Sequence, residues 1–264
     1  MLTQQRKSYI LCILKRDGQV IAKALSRELG LSEDTIRRDL RELAADGTLQ
    51  RVHGGALPAS PAVAGFAGRL QLASDGKAAI GRTAAQMIRS GQIVFVDGGT
   101  TAVQLARQLP RDLAATIVTH SPSVAIELID HPGVTVELIG GRLFKHSVVA
   151  VGAAAIEAIA RIRADIYFMG VTGVHAEIGL TTGDPEEAAV KRALCRFAAE
   201  TVVLASREKL GAASPYIVVP LGDVETIIVE SETADSVVEP FRRLGITVVM
   251  ADRRVKRVDD DRAG

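Results

Sequence analysis

Among 264 residues there is no tryptophan, and aromatic residues make up only 3% of the chain. Base-stacking platforms for single-stranded nucleic acid need more aromatic surface than that. Two cysteines, Cys12 and Cys195, are too few and too distant for a disulfide framework or a thiolate zinc motif. Both fall on predicted helices and read as buried thiols. The five histidines never repeat at metal-ligand spacing, so neither a metal nor a cofactor is assigned. No apolar run approaches the ~20 residues needed to cross a bilayer. The stretch from Met1 to Arg6 lacks the apolar centre of a signal peptide. A cytoplasmic protein without a membrane partner is the expectation.

A net charge of one sign is also missing, since the whole chain carries only +1. The balance is uneven along its length. Residues 1–58 hold ten Lys and Arg against seven Asp and Glu, whereas the rest holds 22 against 24. A mildly basic head precedes a mildly acidic body. The 47% hydrophobic content is that of a globular chain, and the length favours two domains. The reading is a head at 1–57, a joint at 58–76 rich in Pro, Ala, Gly and Ser, a body at 77–252 and a charged tail at 253–264.

Three short helices stand in sequence in the head. Ile10, Leu11, Ile13 and Leu14 mark the first, and Val20 to Gly30 gives a second with Ile21, Leu25 and Leu29 inward. The third runs from near Ser32 to near Asp46. Ser32 is its N-cap, Glu33 and Asp34 occupy its first turn, and Gly47 ends it in a left-handed turn. Ile36, Leu40 and Leu43 share one stripe, leaving Thr35, Arg37, Arg38 and Arg41 to face outward. Alone, such arginines would be a solvated face paired with Asp34 or Glu42 at i,i+4 spacing. Here a strand, Thr48 to Val52, and the turn His53-Gly54-Gly55 follow, which together make a basic wing beside a helix-turn-helix.

In the body, short apolar runs alternate with helices: Ile93 to Val96, Thr116 to Thr119, Val134 to Ile139, Asp165 to Gly170, Thr201 to Ala205, Thr226 to Val229 and Ile246 to Met250. This pattern predicts a mainly parallel α/β sheet, whose ligands collect beyond the carboxyl ends of its strands. Three of those ends carry small, donor-rich loops suited to an anion: Asp97-Gly98-Gly99-Thr100-Thr101, Thr119-His120-Ser121 and Gly140-Gly141-Arg142. Glu187 and Lys191 read as an ordinary exposed i,i+4 pair, and Lys209 as a solvated loop lysine.

The T-I-R-R-D-L and R-V-H-G-G-A ends of Thr35 to Ala56 closely resemble the N-terminal domain of the DeoR family of bacterial transcriptional regulators. The resemblance implies contacts to double-stranded operator DNA from Ser32, Thr35, Arg37, Arg38, Arg51 and His53. It extends through V-D-G-G-T-T, I-V-T-H-S, I-G-G-R-L, M-G-V-T-G, E-A-A-V-K-R and V-V-L-A-S-R-E-K to an effector domain similar in fold to ribose-5-phosphate isomerase. By motif match, a phosphorylated sugar or related metabolite would meet Asp97, Gly98, Gly99, Thr100, Thr101, Thr119, Gly140, Gly141, Gly152, Gly173, Lys191 and Lys209. The chain departs from the family where His120, His175 and Ser206 stand in place of its frequent Asn, Asp and Asp.

These features predict a ligand-relieved repressor of a carbohydrate uptake or catabolism operon, acting as a homodimer or homotetramer that pairs its heads on repeated half-sites. The rival is a sugar-phosphate isomerase with a DNA-binding appendage. Against it, Gly170-Val171-Thr172-Gly173-Val174-His175 lacks the carboxylates of the isomerase loop, leaving Glu187 as base and His175 as acid.

Overall fold

The computed structural model describes residues 2–60, 65–72 and 74–251; the tail expected at 253–264 lies outside them. The head begins with α1 (Thr3–Asp17), β1 (Val20–Ile21), α2 (Ala22–Leu29) and α3 (Glu33–Ala45), and ends with β2 (Leu49–Val52) and β3 (Gly55–Pro58). Ser32 caps α3 as expected, its hydroxyl accepting from Thr35 N at 3.2 Å. Ile10, Leu14, Leu25, Ile36, Leu40 and Leu43 form one small core. The stretch from Val20 to Ile21 differs from expectation. These two β-branched residues pair antiparallel with Ala56 and Gly55 instead of opening α2, and Ile21 faces solvent at 53% exposure. The edge strand is possible because residue 55 is glycine: a Cβ there would lie 1.8 Å from the Val20 carbonyl oxygen.

The segment 58–76 is not uniformly irregular. It carries α4 (Phe66–Gln71) and the start of α5 (Ser74–Ala85). Phe66 packs against the body's apolar core, which gives this Ala- and Gly-rich stretch the burial that composition alone does not reveal. Pro58 O accepts from Ala213 N at 3.4 Å, so the strand leaving the wing touches a loop of the body.

The body proceeds through β4 (Ile93–Val96), α6 (Thr100–Arg107), β5 (Thr116–Thr119), α7 (Pro122–Glu127), β6 (Thr135–Leu138), a hairpin of β7 (Arg142–Phe144) and β8 (Val149–Val151), α8 (Ala153–Ala160) and β9 (Ala164–Gly170). It continues with β10 (Gly173–His175), β11 (Gly179–Thr182), α9 (Pro185–Arg196), β12 (Ala198–Ala205), β13 (Tyr216–Ile217), β14 (Thr226–Glu230), α10 (Asp235–Arg243) and β15 (Thr247–Ala251). All seven strands of the main sheet are parallel, in the order β15-β14-β12-β9-β4-β5-β6. Each of the seven predicted strand runs lies in this sheet. Helices α5, α6 and α7 cover one face and α8, α9 and α10 the other. The near-continuous apolar runs therefore report strands buried on both sides.

Strand order reverses between β4 and β9: from β4 the chain builds outward to β6, then returns to add β9, β12, β14 and β15 on the opposite side. The loops leaving β4 and β9 consequently diverge to opposite faces and open a crevice at the carboxyl end of the sheet. The hairpin β7-β8 and the small antiparallel sheet β10-β11-β13 add loops to that end, and neither was evident in the strand pattern.

Candidate functional site

Two surfaces bring the predicted residues together. On the head, Ser32 and Thr35 share a hydrogen bond between hydroxyls at 2.9 Å, and Arg37 pairs with Glu33 at 2.8 Å. Arg38 and Arg41 are exposed and form no ion pair among the described residues. The acidic residues that could have neutralised them are engaged elsewhere. Asp39 is buried against Arg6, whose Nη2 donates to Oδ1 at 2.9 Å, and Glu42 takes Lys7 at 2.8 Å. Arg51 and His53 are exposed on the wing, where they line a groove with Arg37, Leu40 and Gly54. One open cationic face thus spans α3 and the wing.

In the body, the crevice between β4 and β9 is a cleft lined by Gly98, Gly99, Thr100, Thr101, Lys191 and Lys209 from the expected set. Gly99 caps α6 with φ of +103°, a conformation that glycine adopts without strain. It turns the helix N-terminus and its free amides toward the cleft, where an anion is stabilised. Thr100 and Thr101 follow in the first turn of α6.

Asp97 lies beneath this loop, fully buried. Its carboxylate takes five donors: Gly98 N at 2.8 Å, His120 Nε2 at 2.8 Å, Tyr167 Oη at 2.9 Å, Gly170 N at 2.8 Å and Lys191 Nζ at 2.6 Å. Burial by itself would raise the Asp97 pKa, but the Lys191 charge and the His120 hydrogen bond outweigh it and hold the carboxyl well below the usual range. Lys191 has the mirror-image balance. Burial pushes it down, and Asp97 with Glu187 more than restores it. Tyr167 is driven upward by burial and by the same carboxylate. Asp97 is therefore the internal clamp joining β4 to β9, and it holds the cleft's shape from below.

The pair Glu187 and Lys191 is not the solvated one that spacing suggested. Both side chains are buried at 8% and 2% exposure and lie 3.4 Å apart. Glu187 Oε2 also accepts from Ser147 at 3.3 Å and Thr182 at 3.1 Å. Lys209 is likewise buried. Among the described residues its ammonium has hydrogen bonds only to Thr101 Oγ1 at 3.5 Å and Leu204 O at 3.4 Å. Burial, with Lys77, Arg69 and Lys191 nearby and only Glu208 opposing, pushes Lys209 down to about 8. The i,i+4 spacing of Glu187 and Lys191 and the loop position of Lys209 gave no sign that these side chains would turn inward.

Arg69, Lys77, Ser147, Thr172 and Glu208 also line the cleft without having been placed there from sequence, as does Glu187, expected there only as the base of the rival reading. Arg69 sits on α4, in the stretch expected to be a joint. Lys77 Nζ donates to Arg69 O at 2.7 Å, fixing α5 to α4 over the cleft. Val148, beside Ser147, has φ of +54°, a strained value for a β-branched residue. Ser121 Oγ donates to its carbonyl at 3.3 Å. Strain at the turn of β7-β8 thus accompanies the presentation of Ser147.

The remaining expected residues do not line this cleft. Thr119 is buried, its hydroxyl accepting from Ser121 N at 3.1 Å. Gly140 and Gly141 lead into β7, Gly152 caps α8, and Gly173 opens β10, where a Cβ would meet Ala212 O at 2.6 Å. His175, the alternative acid, lies beside the wing glycines and not in the cleft. Cys12 is exposed and Cys195 half-buried, so the buried-thiol reading fails for Cys12, which sits on the outer face of α1. Among the described residues no helix is long and apolar enough to cross a membrane.

Comparison with known proteins gives two adjoining domain matches. Residues 6–61 match the DeoR-like helix-turn-helix domain and residues 72–231 the DeoR C terminal sensor domain. The chain is 35% identical over 256 residues to the HTH-type transcriptional regulator GlpR of Haloferax volcanii, covering 94% of this chain and 98% of that one. It is 29% identical over 255 residues to the HTH-type transcriptional repressor GlcR of Bacillus subtilis, covering 96% and 98%. It is also 31% identical over 212 residues to the glycerol-3-phosphate regulon repressor of Escherichia coli, covering 80% and 84%. Ribose 5-phosphate isomerase A of Methanocaldococcus jannaschii overlaps 52% of this chain and 54% of its own, at 17% identity and a TM-score of 0.39.

Proposed function

This chain belongs to the DeoR family of DNA-binding transcriptional regulators, and from that premise we propose that it represses a carbohydrate uptake or catabolism operon. A phosphorylated sugar metabolite, bound in the body, relieves the repression. The observation that carries this reading is buried Lys209, without a carboxylate within 4 Å among the described residues, beside the N-terminus of α6 at the switch point of the sheet, with Lys191, paired to Asp97, lining the same cleft. Buried cations are costly unless an anion meets them. A phosphate ester supplies that charge, and its hydroxyls suit the polar lining of Thr100, Thr101, Ser147 and Thr172.

Double-stranded operator DNA is read by Arg38, Arg41, Arg51 and His53, with Ser32, Thr35 and Arg37 at the start of α3. A single head carries little net charge, and each phosphate contact weakens as salt rises. Pairing of heads in a homodimer or homotetramer supplies the missing grip. The work is done in the cytoplasm, where DNA and phosphorylated sugars meet.

Sensing is favoured over catalysis by the state of Asp97 and Glu187, whereas Glu208, the other carboxylate at the cleft, accepts from Ser206 at 2.7 Å and leaves Oε2 without a hydrogen-bond partner among the described residues. Asp97 is occupied by five internal donors, and Glu187 is held by Ser147, Thr182 and Lys191. Neither is free to move a proton next to a substrate carbonyl. For control of DNA binding, the ligand must prefer one arrangement of the heads. The loop from Lys209 to Ala213 offers a route, because it runs from the cleft to the Pro58 carbonyl at the end of the wing.

The test is fluorescence anisotropy of the full chain on its own upstream DNA at fixed salt, titrated with sugar phosphates and the matching free sugars. Release by a phosphate ester but not by its free sugar is the expected result. Binding with no sequence preference and no response to any ester would overturn the reading.

A further inference from the structure

The cleft holds two buried cations without a carboxylate partner, and they stand on different elements. Lys191 is paired with Asp97 at 2.6 Å, and Lys77 approaches Glu208 at 3.9 Å. Arg69 and Lys209 have no such neighbour within 4 Å among the described residues. Arg69 is 8% exposed, yet its guanidinium makes only two long contacts, Nη2 to His146 O and to Ser147 Oγ, each at 3.3 Å. Its Nε finds no hydrogen-bond partner among the described residues. Glu187 attracts it from beyond ion-pair distance, while that carboxylate is committed to Lys191, Ser147 and Thr182.

These two cations face different surroundings. Lys209 lies against the first turn of α6 and the end of β12, through Thr101 and Leu204. Arg69 lies against the β7-β8 turn and lines a side extension of the cleft, with Phe144, His146 and Gly183, which Lys209 does not reach. A buried charge left unpaired is strongly destabilising, and a ligand that completes the pair offsets that cost. Two separate unpaired positive charges call for two separate anionic groups.

Resting on the sugar-phosphate reading above, we propose that the effector is anionic at both ends. One phosphate sits between Lys209 and the α6 N-terminus, and a second phosphate or a carboxylate meets Arg69 beside Ser147. Sugar bisphosphates and phosphorylated sugar acids share this chemistry. Arg69 is the residue that selects them over monophosphates, since its planar guanidinium can hold either group through two parallel N–H donors.

The test is calorimetric titration of the full-length protein with three matched pairs: glycerol 3-phosphate and 3-phosphoglycerate, glucose 6-phosphate and 6-phosphogluconate, fructose 6-phosphate and fructose 1,6-bisphosphate. In at least one pair the doubly anionic member is expected to bind about tenfold tighter or more, the return of one charge-assisted hydrogen-bonded contact. The pair that shows the gap tells a bisphosphate site from a sugar-acid site. Arg69→Gln should close the gap by weakening the doubly anionic member far more than the monophosphate, Arg69→Lys should keep much of it, and Lys209→Met should weaken both members. Equal affinity within every pair would overturn the proposal and leave the sugar-phosphate reading intact. So would equal loss of monophosphate binding in Arg69→Gln and Lys209→Met, which would mean one phosphate bridging both cations. Binding of none of the six would overturn both.

Discussion

Replacing Lys209 with methionine should make the ligand-free protein more stable while depriving it of its effector response. The ammonium is buried and its pKa is pushed down to about 8, from an ordinary lysine value of 10.5. Keeping it protonated at pH 7 therefore costs the folded state about 3 kcal/mol. Against this stand two long contacts, 3.5 Å to Thr101 and 3.4 Å to Leu204, worth at most about 1 kcal/mol each. Methionine fills a similar volume without the charge, so Lys209→Met should gain about 1–3 kcal/mol, or roughly 2–12 °C in Tm for a body of this size. The pH dependence is a second signature. Between about 8 and 10.5 the unfolded chain binds more protons than the folded one, so the stability of the parent protein should rise across that window. The variant should lack this rise. Urea denaturation of both proteins at pH 7 and across pH 8–10 measures the effect. A loss of more than about 1 kcal/mol on substitution, or a rise in pH that leaves both proteins equally affected, would refute the view that Lys209 is held at a cost for a ligand.

Asp97→Asn should do the opposite, destabilising by about 3–5 kcal/mol because buried Lys191 keeps only the more distant Glu187 at 3.4 Å and a neutral amide cannot accept from all five donors; thermal denaturation with DNA binding as a control reads it, and a change under about 1 kcal/mol would remove Asp97 as the clamp. Because its folded pKa is depressed, the Asp97 contribution is present above the unfolded value near 4 and is lost as pH falls further, so the variant should also show a shallower acid loss of stability. Arg38→Ala should weaken operator binding, reduce its salt slope by about 1 and leave ester affinity unchanged; unaltered DNA affinity would exclude Arg38 from the interface. Gly55→Ala should displace β1 from the wing, since its Cβ would lie 1.8 Å from Val20 O, and anisotropy should show weaker DNA binding with the body's ester affinity retained.

The head and the sheet were legible in the residues because each rests on short-range signals. The Ser32 cap, the Ile36, Leu40 and Leu43 stripe and the Gly47 turn are local, and they fall where expected. The seven apolar runs report strands covered on both faces, whatever the rest of the chain does. The cleft was legible only in part. Gly99 and Thr100 announce themselves by following a strand and opening a helix. Arg69 does not, because its role depends on a helix that forms when Phe66 finds the body's core. Glu187 and Lys191 carry the spacing of a surface pair, and only the return of β9 beside β4 turns them inward toward Asp97. Val20 and Ile21 fit a helix as well as a strand by pattern. The pairing with Gly55, more than thirty residues away, decided between them.

Communication between cleft and head is tested most directly by reciprocity. The phosphate ester that releases the operator is titrated calorimetrically into the full-length protein, once free and once saturated with operator DNA. If the ester acts by favouring the arrangement that DNA does not, its affinity must fall on DNA by the same factor by which saturating ester weakens operator binding. Equal affinity for the free and the DNA-bound protein would contradict effector-relieved repression, however tightly the ester binds.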